Sequence, residues 1–484
     1  MIRTLEKASP AQLATLITSY LLVHILIRLL FSQTIQLDDA EQILHAQYFA
    51  LGYPIPQPPL YSWILWLLFK WFGTSLTTIT LFKYSLITLT FWFTWLTARE
   101  LFKHNQTILL ATTSFLLMPS FAWHMHQGFT HTILLGLALS MSTYFIIKLV
   151  RAPTPLHYLL LGAALGIGIM AKYSFIIFLV AVSLSMLFSR HYRKLLLSRW
   201  TIITLITAIV VVAPHLWWVL DQNITGAVQG KLQITNSSGI TERFSSLLSF
   251  AGNAIAFIIP LIIFYLITFR RLFFPIRFKL THHNPHLELL NYFHAIMLIT
   301  PIVLSLFVSM PDFKIRWFHP IMIISPLWIL LLAENHKDYL ASNIRPILFG
   351  TIAITVAILT IRLLQVTVGP DLGHYSRLNR PIIESLQQLP PFSSDRLLVS
   401  NDHFLGAHLL VHYPQNPIMI GEKRYRFTQA HAPVGPCILF WENDTPPNRR
   451  SLGDELATIN QITYPVGQTN YSLYWVEPPM QYCD

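Results

Sequence analysis

The chain has 484 residues, of which 53% are hydrophobic and only 11% are charged. A soluble protein carries roughly a quarter of its residues as Asp, Glu, Lys or Arg, so this composition excludes an ordinary soluble protein and indicates a surface that faces lipid. The net charge is +11, but the basic residues cluster in short loops between apolar runs, for example at 190–199 and 270–279. This is the positive-inside pattern of cytoplasmic loops, and it argues against a nucleic-acid partner.

Apolar runs near the length that crosses ~30 Å of hydrocarbon predict a mainly α-helical, polytopic membrane bundle over residues 1–363. About eleven spans are expected, at 13–31, 77–98, 107–123, 131–149, 158–171, 174–189, 200–218, 247–268, 291–309, 317–333 and 346–363. Two short runs meet at Lys172, which we place in a tight turn at the outer face, because a single helix burying this lysine would be costly. The first run lacks a cleavage site and is expected to remain as a signal anchor.

Alternation from a cytoplasmic N-terminus puts the strongly basic loops inside and everything after residue 364 outside. The outer loop 32–76 is more than a connector. Residues 38–51 suit a short helix with Asp38 or Asp39 as its N-cap, and prolines then fix an extended turn. The apolar run 60–72 is too short to span, so an interfacial or re-entrant helix is expected.

Residues 364–484 are predicted to form a small periplasmic α/β domain. Polar residues return there, together with short β-rich runs at 396–400, 417–420, 437–441 and 471–476 and a helical pattern at 404–413. Both cysteines of the chain, Cys437 and Cys483, lie in this region. An oxidising compartment lets disulfides persist, so a bond between them is predicted, with two unpaired thiols as the alternative.

Three carboxylates follow the first predicted span: Asp38, Asp39 and Glu41. Only 22 of 484 residues are acidic, so their grouping needs a reason. Helix capping and solvation would be sufficient for structure. The functional interpretation is a carboxylate at the mouth of a membrane cavity that acts as general base on a sugar or lipid hydroxyl.

The order of several motifs resembles the polyprenyl-phosphate-dependent glycosyltransferases of the GT-C fold. These include the protein mannosyltransferase-like family (glycosyltransferase family 39) and the lipid A aminoarabinose transferases. The motifs are the acidic pair followed by Pro58-Pro59-Leu60-Tyr61-Ser62-Trp63, the glycine-rich run 162–173 ending in Lys172-Tyr173, Pro214-His215-Leu216-Trp217-Trp218, and Lys314-Ile315-Arg316-Trp317. The resemblance covers about residues 10–335.

The resemblance implies an inverting transfer at the outer face, with a membrane-embedded polyprenyl monophosphate sugar as donor. Asp38 matches the catalytic base, and Asp39 is expected to orient the acceptor or the base. Tyr61 and Trp63 are placed to line the lipid or sugar cavity, and Glu41 and Tyr173 are also expected to contact substrate. No cofactor is required by this chemistry, although Asp38 and Asp39 could hold a divalent cation.

The departing phosphate requires cations, and the candidates are Lys172, Lys314 and Arg316, all on the predicted outer side. Contact with lipid headgroups is their alternative role. Two positions depart from the family pattern. Gln57 stands where the aminoarabinose transferases have lysine, so it could hydrogen-bond phosphate or sugar, and His131 stands near the position of a common aspartate.

The histidine pairs His124/His126 and His282/His283 lack the helical spacing and nearby carboxylate of a zinc site, so no metal centre is predicted. The sequence thus predicts a hexosyl- or uronosyltransferase of the bacterial inner membrane that modifies lipopolysaccharide, lipid A or a protein. Its partners would be the lipid-linked sugar donor and a lipid or glycolipid acceptor, with a protein acceptor left open. The rival class is a transporter or flippase, in which the carboxylates would be ion sites. The sugar and the acceptor stay open.

Overall fold

A computed structural model describes most of the chain, and the statements below refer to its described residues. These are 10–32, 34–53, 57–222, 240–268, 284–307, 318–333, 337–368, 382–400, 402–421, 436–442, 459–466 and 469–478. Lys314, Arg316, His282, His283 and Cys483 therefore lie outside the described residues.

The larger part of the fold is helical. Its helices are α1 (Pro10–Leu26), α2 (Leu37–His45), α3 (Leu60–Phe72), α4 (Leu76–Leu101), α5 (Asn105–Thr113), α6 (Pro119–Ala122), α7 (Thr130–Lys148), α8 (Pro155–Ala171), α9 (Phe175–Phe188), α10 (Arg190–Leu196), α11 (Thr201–Gln222), α12 (Ile240–Thr268), α13 (Pro285–Phe307), α14 (His319–Met322), α15 (Ser325–Ala333) and α16 (Lys337–Thr367). A π-helical turn, Ile27–Phe31, extends α1, and 3-10 turns at Ser114–Leu117 and His124–His126 flank α6.

Each of the eleven predicted spans contains helix. Five helices in the described part of the chain are long and apolar enough to cross a membrane, and seven if two bent pairs are counted as spans. One bent pair, Asn105–Leu117 with Pro119–His126, turns by 74° and interrupts the predicted span 107–123. The chain is thus a multi-pass membrane protein, while the count of eleven stays a prediction.

The short helix that carries the acidic residues differs from its prediction. Helix α2 begins at Leu37, and its N-cap is Gln36, so the expectation that Asp38 or Asp39 caps it was wrong. Both aspartates instead lie in the first helical turn, where a carboxylate interacts favourably with the helix dipole. The helix ends at His45 rather than near residue 51 as predicted, and Ala46 is its C-cap.

Two other local predictions are confirmed. Helix α3 occupies Leu60–Phe72 and is stopped by Gly73, whose φ of 81° favours glycine. Helices α8 and α9 are separate, with Lys172 in the turn between them. Helix α8 packs closely on α11 at Gly162, where a Cβ atom would lie 2.5 Å from the Thr204 carbonyl oxygen.

A five-stranded sheet follows the helical bundle, as the composition shift predicts. Its elements are α17 (Ile382–Leu386), β1 (Leu397–Ser400), α18 (His403–His412), β2 (Ile418–Ile420), β3 (Cys437–Glu442), β4 (Asn460–Val466) and β5 (Thr469–Val476). The strand order is β2-β1-β3-β5-β4. β1 pairs in parallel with β2 and β3, whereas β5 pairs antiparallel with β3 and β4. The sequence missed α17 and β4.

The C-terminal region contacts the helix that carries the aspartates. Helix α18, capped by the Asp402 side chain, packs against α2. His408 on α18 accepts a hydrogen bond at Nε2 from the Ile35 backbone N–H, at 2.9 Å, and Gln47 accepts one from the Ile418 N–H at 3.3 Å. The C-terminal region therefore contacts the chain just before and just after α2.

Cys437 at the start of β3 is disulfide-bonded, and Cys483 is the only other cysteine of the chain. The predicted bond between Cys437 and Cys483 requires Cys437 to be disulfide-bonded, as it is.

Candidate active site at the outer end of the first helix

Asp38 is the half-buried carboxylate of α2. Its Oδ2 accepts a hydrogen bond from the Phe129 backbone N–H at 2.9 Å, and no hydrogen bond from the described residues reaches Oδ1. Phe129 has a left-handed backbone, with φ of 63°, which a bulky residue rarely adopts. The strained turn before α7 thus fixes one carboxylate oxygen and leaves the other available to a ligand.

Asp39, the next residue, is 1% exposed and fully engaged in ion pairs. Lys83 Nζ on α4 lies 2.8 Å from Oδ1 and 2.9 Å from Oδ2, and Arg28 Nη2 lies 3.9 Å from Oδ2. Lys83 and Arg28 are themselves buried. Asp39 is therefore held by cations, and its expected role in orienting the acceptor or the base stays a prediction.

Three further candidates, Tyr61, His131 and Lys172, lie close to one another, and Tyr61 lies near the aspartates. The Tyr61 ring on α3 lies 5.9 Å from the His131 ring, measured between centroids, and Tyr61 interacts electrostatically with Asp38 and Asp39. His131 Nδ1 donates to the Ala171 carbonyl at 3.2 Å, and Lys172 Nζ donates to Thr132 Oγ1 at 2.9 Å. The Tyr61 hydroxyl is buried and has no hydrogen-bond partner among the described residues, which in a native site indicates a missing partner such as a ligand or water.

The other described candidates lie around this group. Trp63 Nε1 donates to the Ala50 carbonyl at 2.6 Å, so this ring secures the loop after α2. Glu41 and Gln57 are half-buried, Glu41 one turn beyond Asp38 and Gln57 just before α3. The structure leaves their contact with substrate as a prediction.

Tyr173 follows Lys172 in the turn after α8 and has a structural contact with α11. His215 donates from Nδ1 to the Leu51 carbonyl at 2.9 Å, so its Nε2 accepts from the Tyr173 hydroxyl at 2.8 Å. Burial raises the pKa of Tyr173 to about 12, which keeps the phenol protonated for this donation. The contact ties the turn after α8 to the loop after α2 through α11.

Sequence reasoning missed the basic residues near Asp39. We define the buried cationic cluster as the cations Arg28, Lys83 and Arg362 together with Asp39. His24 and His126 lie beside this cluster. Tyr20 and Tyr84 bracket His126, with hydroxyl-to-nitrogen distances of 2.7 and 3.1 Å. The signal was present, because Arg28, Lys83 and Arg362 are basic residues inside predicted apolar spans, where ionisable groups are rare and mark function.

Metal binding finds little support near these residues. Within the described ranges, no group of three or more His, Cys, Asp or Glu side chains could hold a metal ion. A divalent cation at Asp38 and Asp39 stays a hypothesis, and the Lys83 contact already supplies positive charge to Asp39.

Comparisons with known proteins give matches to glycosyltransferases. The family described as Dolichyl-phosphate-mannose-protein mannosyltransferase matches residues 56–218. The lipopolysaccharide core galacturonosyltransferase RgtB of Rhizobium johnstonii is 28% identical over 84% of this chain and 82% of its own length. RgtA of the same organism is 26% identical over 88% of this chain and 85% of its own length.

Solved structures show the same fold. ArnT from Cupriavidus metallidurans bound to undecaprenyl phosphate matches with a TM-score of 0.63 at 14% identity, over 96% of this chain and 98% of that one. Its apo state matches with a TM-score of 0.60, over 95% of this chain and 97% of that one. The resemblance expected from the motifs is confirmed, and the chain is a membrane glycosyltransferase of the GT-C fold. Its two curated relatives both transfer galacturonosyl groups to lipopolysaccharide core by name.

Proposed function

We propose that this chain transfers a uronic acid, galacturonic acid as in the two curated relatives, from a polyprenyl monophosphate donor to lipopolysaccharide core or a related envelope glycolipid. The transfer inverts the anomeric centre and takes place at the outer face of the inner membrane. The observation that carries this proposal is the placement of Asp38, whose Oδ2 is fixed by the Phe129 N–H while Oδ1 accepts no hydrogen bond from the described residues.

Asp38 acts as general base in this proposal. The acceptor hydroxyl gives its proton to Oδ1, and its oxygen attacks the anomeric carbon from the face opposite the phosphate. The bond between the anomeric carbon and the phosphate oxygen breaks, and its electron pair leaves with polyprenyl phosphate. Asp39 positions Asp38 through α2, since its ion pair with Lys83 joins α2 to α4.

The charge that develops on the departing phosphate needs fixed donors. Lys172 is held at the rim by Thr132, and the buried Tyr61 hydroxyl has an unused donor. Lys314 and Arg316, outside the described residues, are proposed as further phosphate contacts. Phosphate binding by Lys172 also explains why a lysine occupies the outer side of the membrane against the positive-inside trend.

A transporter or flippase is the weaker candidate. Intramembrane ion sites of transporters lie near the midplane on discontinuous helices, whereas Asp38 and Asp39 open a short helix between two spans. The matches to glycosyltransferases also favour transfer.

The proposed orientation places the N-terminus in the cytoplasm and residues 364–484 in the periplasm as a separate α/β domain. It is supported by the basic loops and by the contact of α18 with α2, which puts both on one side of the bundle. A periplasmic reporter fused after residue 368 should be active, and a cytoplasmic reporter at the same position should be inactive. The reverse result would exclude an outer-face site.

A transfer assay tests the proposed function. Purified protein should move galacturonic acid from its polyprenyl-phosphate conjugate to lipopolysaccharide core, with inverted anomeric configuration by NMR. UDP-galacturonic acid serves as the control and should give no product, since no nucleotide enters this site. Transfer from the nucleotide, or retained configuration, would contradict the proposal.

A further inference from the structure

The buried cationic cluster contains more positive than negative charge. Arg28, Lys83 and Arg362 are 3%, 4% and 0% exposed. The carboxylates are Asp39, which pairs with Lys83 and Arg28, and Asp38, which interacts electrostatically with Lys83. Among the described residues, three cations thus face two carboxylates, which leaves one positive charge in excess.

Arg362 on α16 is the cation without an acidic partner in the described part of the chain. Its Nη2 donates to the His126 carbonyl at 3.1 Å, while Nε and Nη1 are buried and have no hydrogen-bond partner. Arg362 interacts electrostatically with Arg28, whose Nη2 also lacks a hydrogen bond. Two guanidinium groups therefore share a buried environment, and three of their nitrogen atoms donate no hydrogen bond.

Such an arrangement is unfavourable unless something anionic binds to it. Removing an unpaired charge from water costs several kcal/mol, and an ionisable group inside a membrane span marks function more often than structure. A buried water molecule could accept from the free N–H groups, but it would not compensate the excess charge. An oxyanion would do both, since a carboxylate accepts paired N–H donors from arginine.

The local backbone around Arg28 is also unusual. Arg28 lies in the π-helical turn Ile27–Phe31 that ends α1, and such turns occur frequently at functional sites. The turn lets Arg28 Nη1 donate to the Ser32 carbonyl at 3.1 Å and to its hydroxyl at 2.7 Å. These bonds fix the guanidinium while Nη2 stays directed at Asp39.

We infer that Arg362 and Arg28 form a subsite for the carboxylate of the donor's uronic acid, and that this subsite selects an anionic sugar over a neutral one. The inference rests on the proposed function, which supplies a lipid-linked uronate as donor. With the sugar carboxylate bound, the three cations face three negative charges, those of Asp38, Asp39 and the sugar.

The subsite lies close to the proposed base in the fold. Asp38 and Asp39 are consecutive, so their Cα atoms lie about 3.8 Å apart, and Arg28 Nη2 lies 3.9 Å from Asp39 Oδ2. Arg28 thus contacts the residue next to the proposed base, and Arg362 lies near Arg28. Arg362 has no exposed surface, so binding requires side chains at the edge of the cluster to rotate.

Binding of two matched donors to full-length protein tests the subsite. The probes are polyprenyl-phosphate galacturonic acid and its uncharged, isosteric carboxamide. The natural protein should bind the acid about tenfold to hundredfold more tightly, the range expected for hydrogen bonds to a charged group. Arg362→Met should bind both probes with nearly equal affinity. Equal affinity of the natural protein for the two probes overturns the inference without any variant.

Two controls separate the possible failures. Arg193→Met, at an exposed position of helix α10, should keep the preference for the acid. Asp38→Asn should also keep it while losing transfer, so a failed base assignment is not confused with a failed subsite. If Arg362→Met retains the preference, or weakens both probes equally, the arginine does not read the sugar carboxylate and the inference is wrong.

Discussion

Asp38 and Asp39 are neighbours in sequence, but the regions around them have opposite character. Asp38 is half-buried, and its carboxylate contacts a neutral backbone N–H. The cluster around Asp39 is buried and contacts its carboxylate through Lys83 and Arg28. A carboxylate with a free oxygen can accept a proton, whereas one engaged by two cations stays ionised and holds helices together. The comparison supports our proposal that Asp38 reacts and that Asp39 positions it.

The largest effect is expected for Asp38→Asn. Asparagine keeps the side-chain shape and can still accept from the Phe129 N–H, but it cannot take the acceptor proton. A positioned general base contributes roughly 10²- to 10⁴-fold in rate, so transfer should fall by that factor. Donor affinity and the midpoint of thermal unfolding should stay unchanged. A rate within a few-fold of the natural protein would remove Asp38 from this role.

Lys83→Met is expected to act on stability first. Removing one partner of a buried ion pair costs about 3–5 kcal/mol, because the other charge is left uncompensated. The midpoint of thermal unfolding in detergent should therefore drop clearly. The double variant Lys83→Met with Asp39→Leu removes both charges and should recover much of the loss. A single variant that unfolds like the natural protein would show that Asp39 does not need Lys83.

A smaller effect is expected for Lys172→Met, which removes a cation from the rim. The donor phosphate is already charged in the ground state, so donor affinity should weaken by about tenfold, as for one charged hydrogen bond. Lys194→Met, at an exposed position of helix α10, is the matched control and should bind donor normally. Unchanged affinity in Lys172→Met would place the phosphate elsewhere.

The smallest effect is expected at the contact between α18 and the start of α2. His408 donates from Nδ1 to the Phe404 carbonyl at 2.8 Å, so its Nε2 is the acceptor for the Ile35 N–H. His408→Ala should lower kcat a few-fold, in line with about 1 kcal/mol for one hydrogen bond, with little change in donor KM. His408→Gln keeps an acceptor at that distance and should restore kcat. If both variants lose kcat equally, the effect comes from side-chain packing and not from the hydrogen bond to Ile35.

Much of the helical framework could be predicted because its signal is local. An apolar run with flanking stops gave α3 its bounds, and the cost of burying a lysine in mid-helix predicted the turn at Lys172. The sheet was only partly predictable, since β4 includes Gln461, Thr463 and Pro465 and lacks a clear apolar alternation. Strand β4 is instead stabilised by its antiparallel pairing with β5, a contact that the local sequence pattern does not show.

The division between the two aspartates could not be predicted from local patterns. Asp39 meets Lys83, which is 44 residues away, and Asp38 meets Phe129, which is 91 residues away. Capping rules assign the start of α2 to an aspartate, but the structure uses Gln36, because both aspartates bind partners on other elements. The cationic cluster could have been found by asking why Arg28, Lys83 and Arg362 interrupt apolar spans.

A structure of Asp38→Asn with polyprenyl-phosphate galacturonic acid bound tests the central claim most directly. The account predicts that the anomeric carbon faces residue 38, with room for an acceptor hydroxyl about 3 Å from both. The phosphate should lie at Lys172, on the face opposite the incoming hydroxyl. A donor bound with its anomeric carbon turned away from residue 38, or with its phosphate between that carbon and residue 38, would contradict the account.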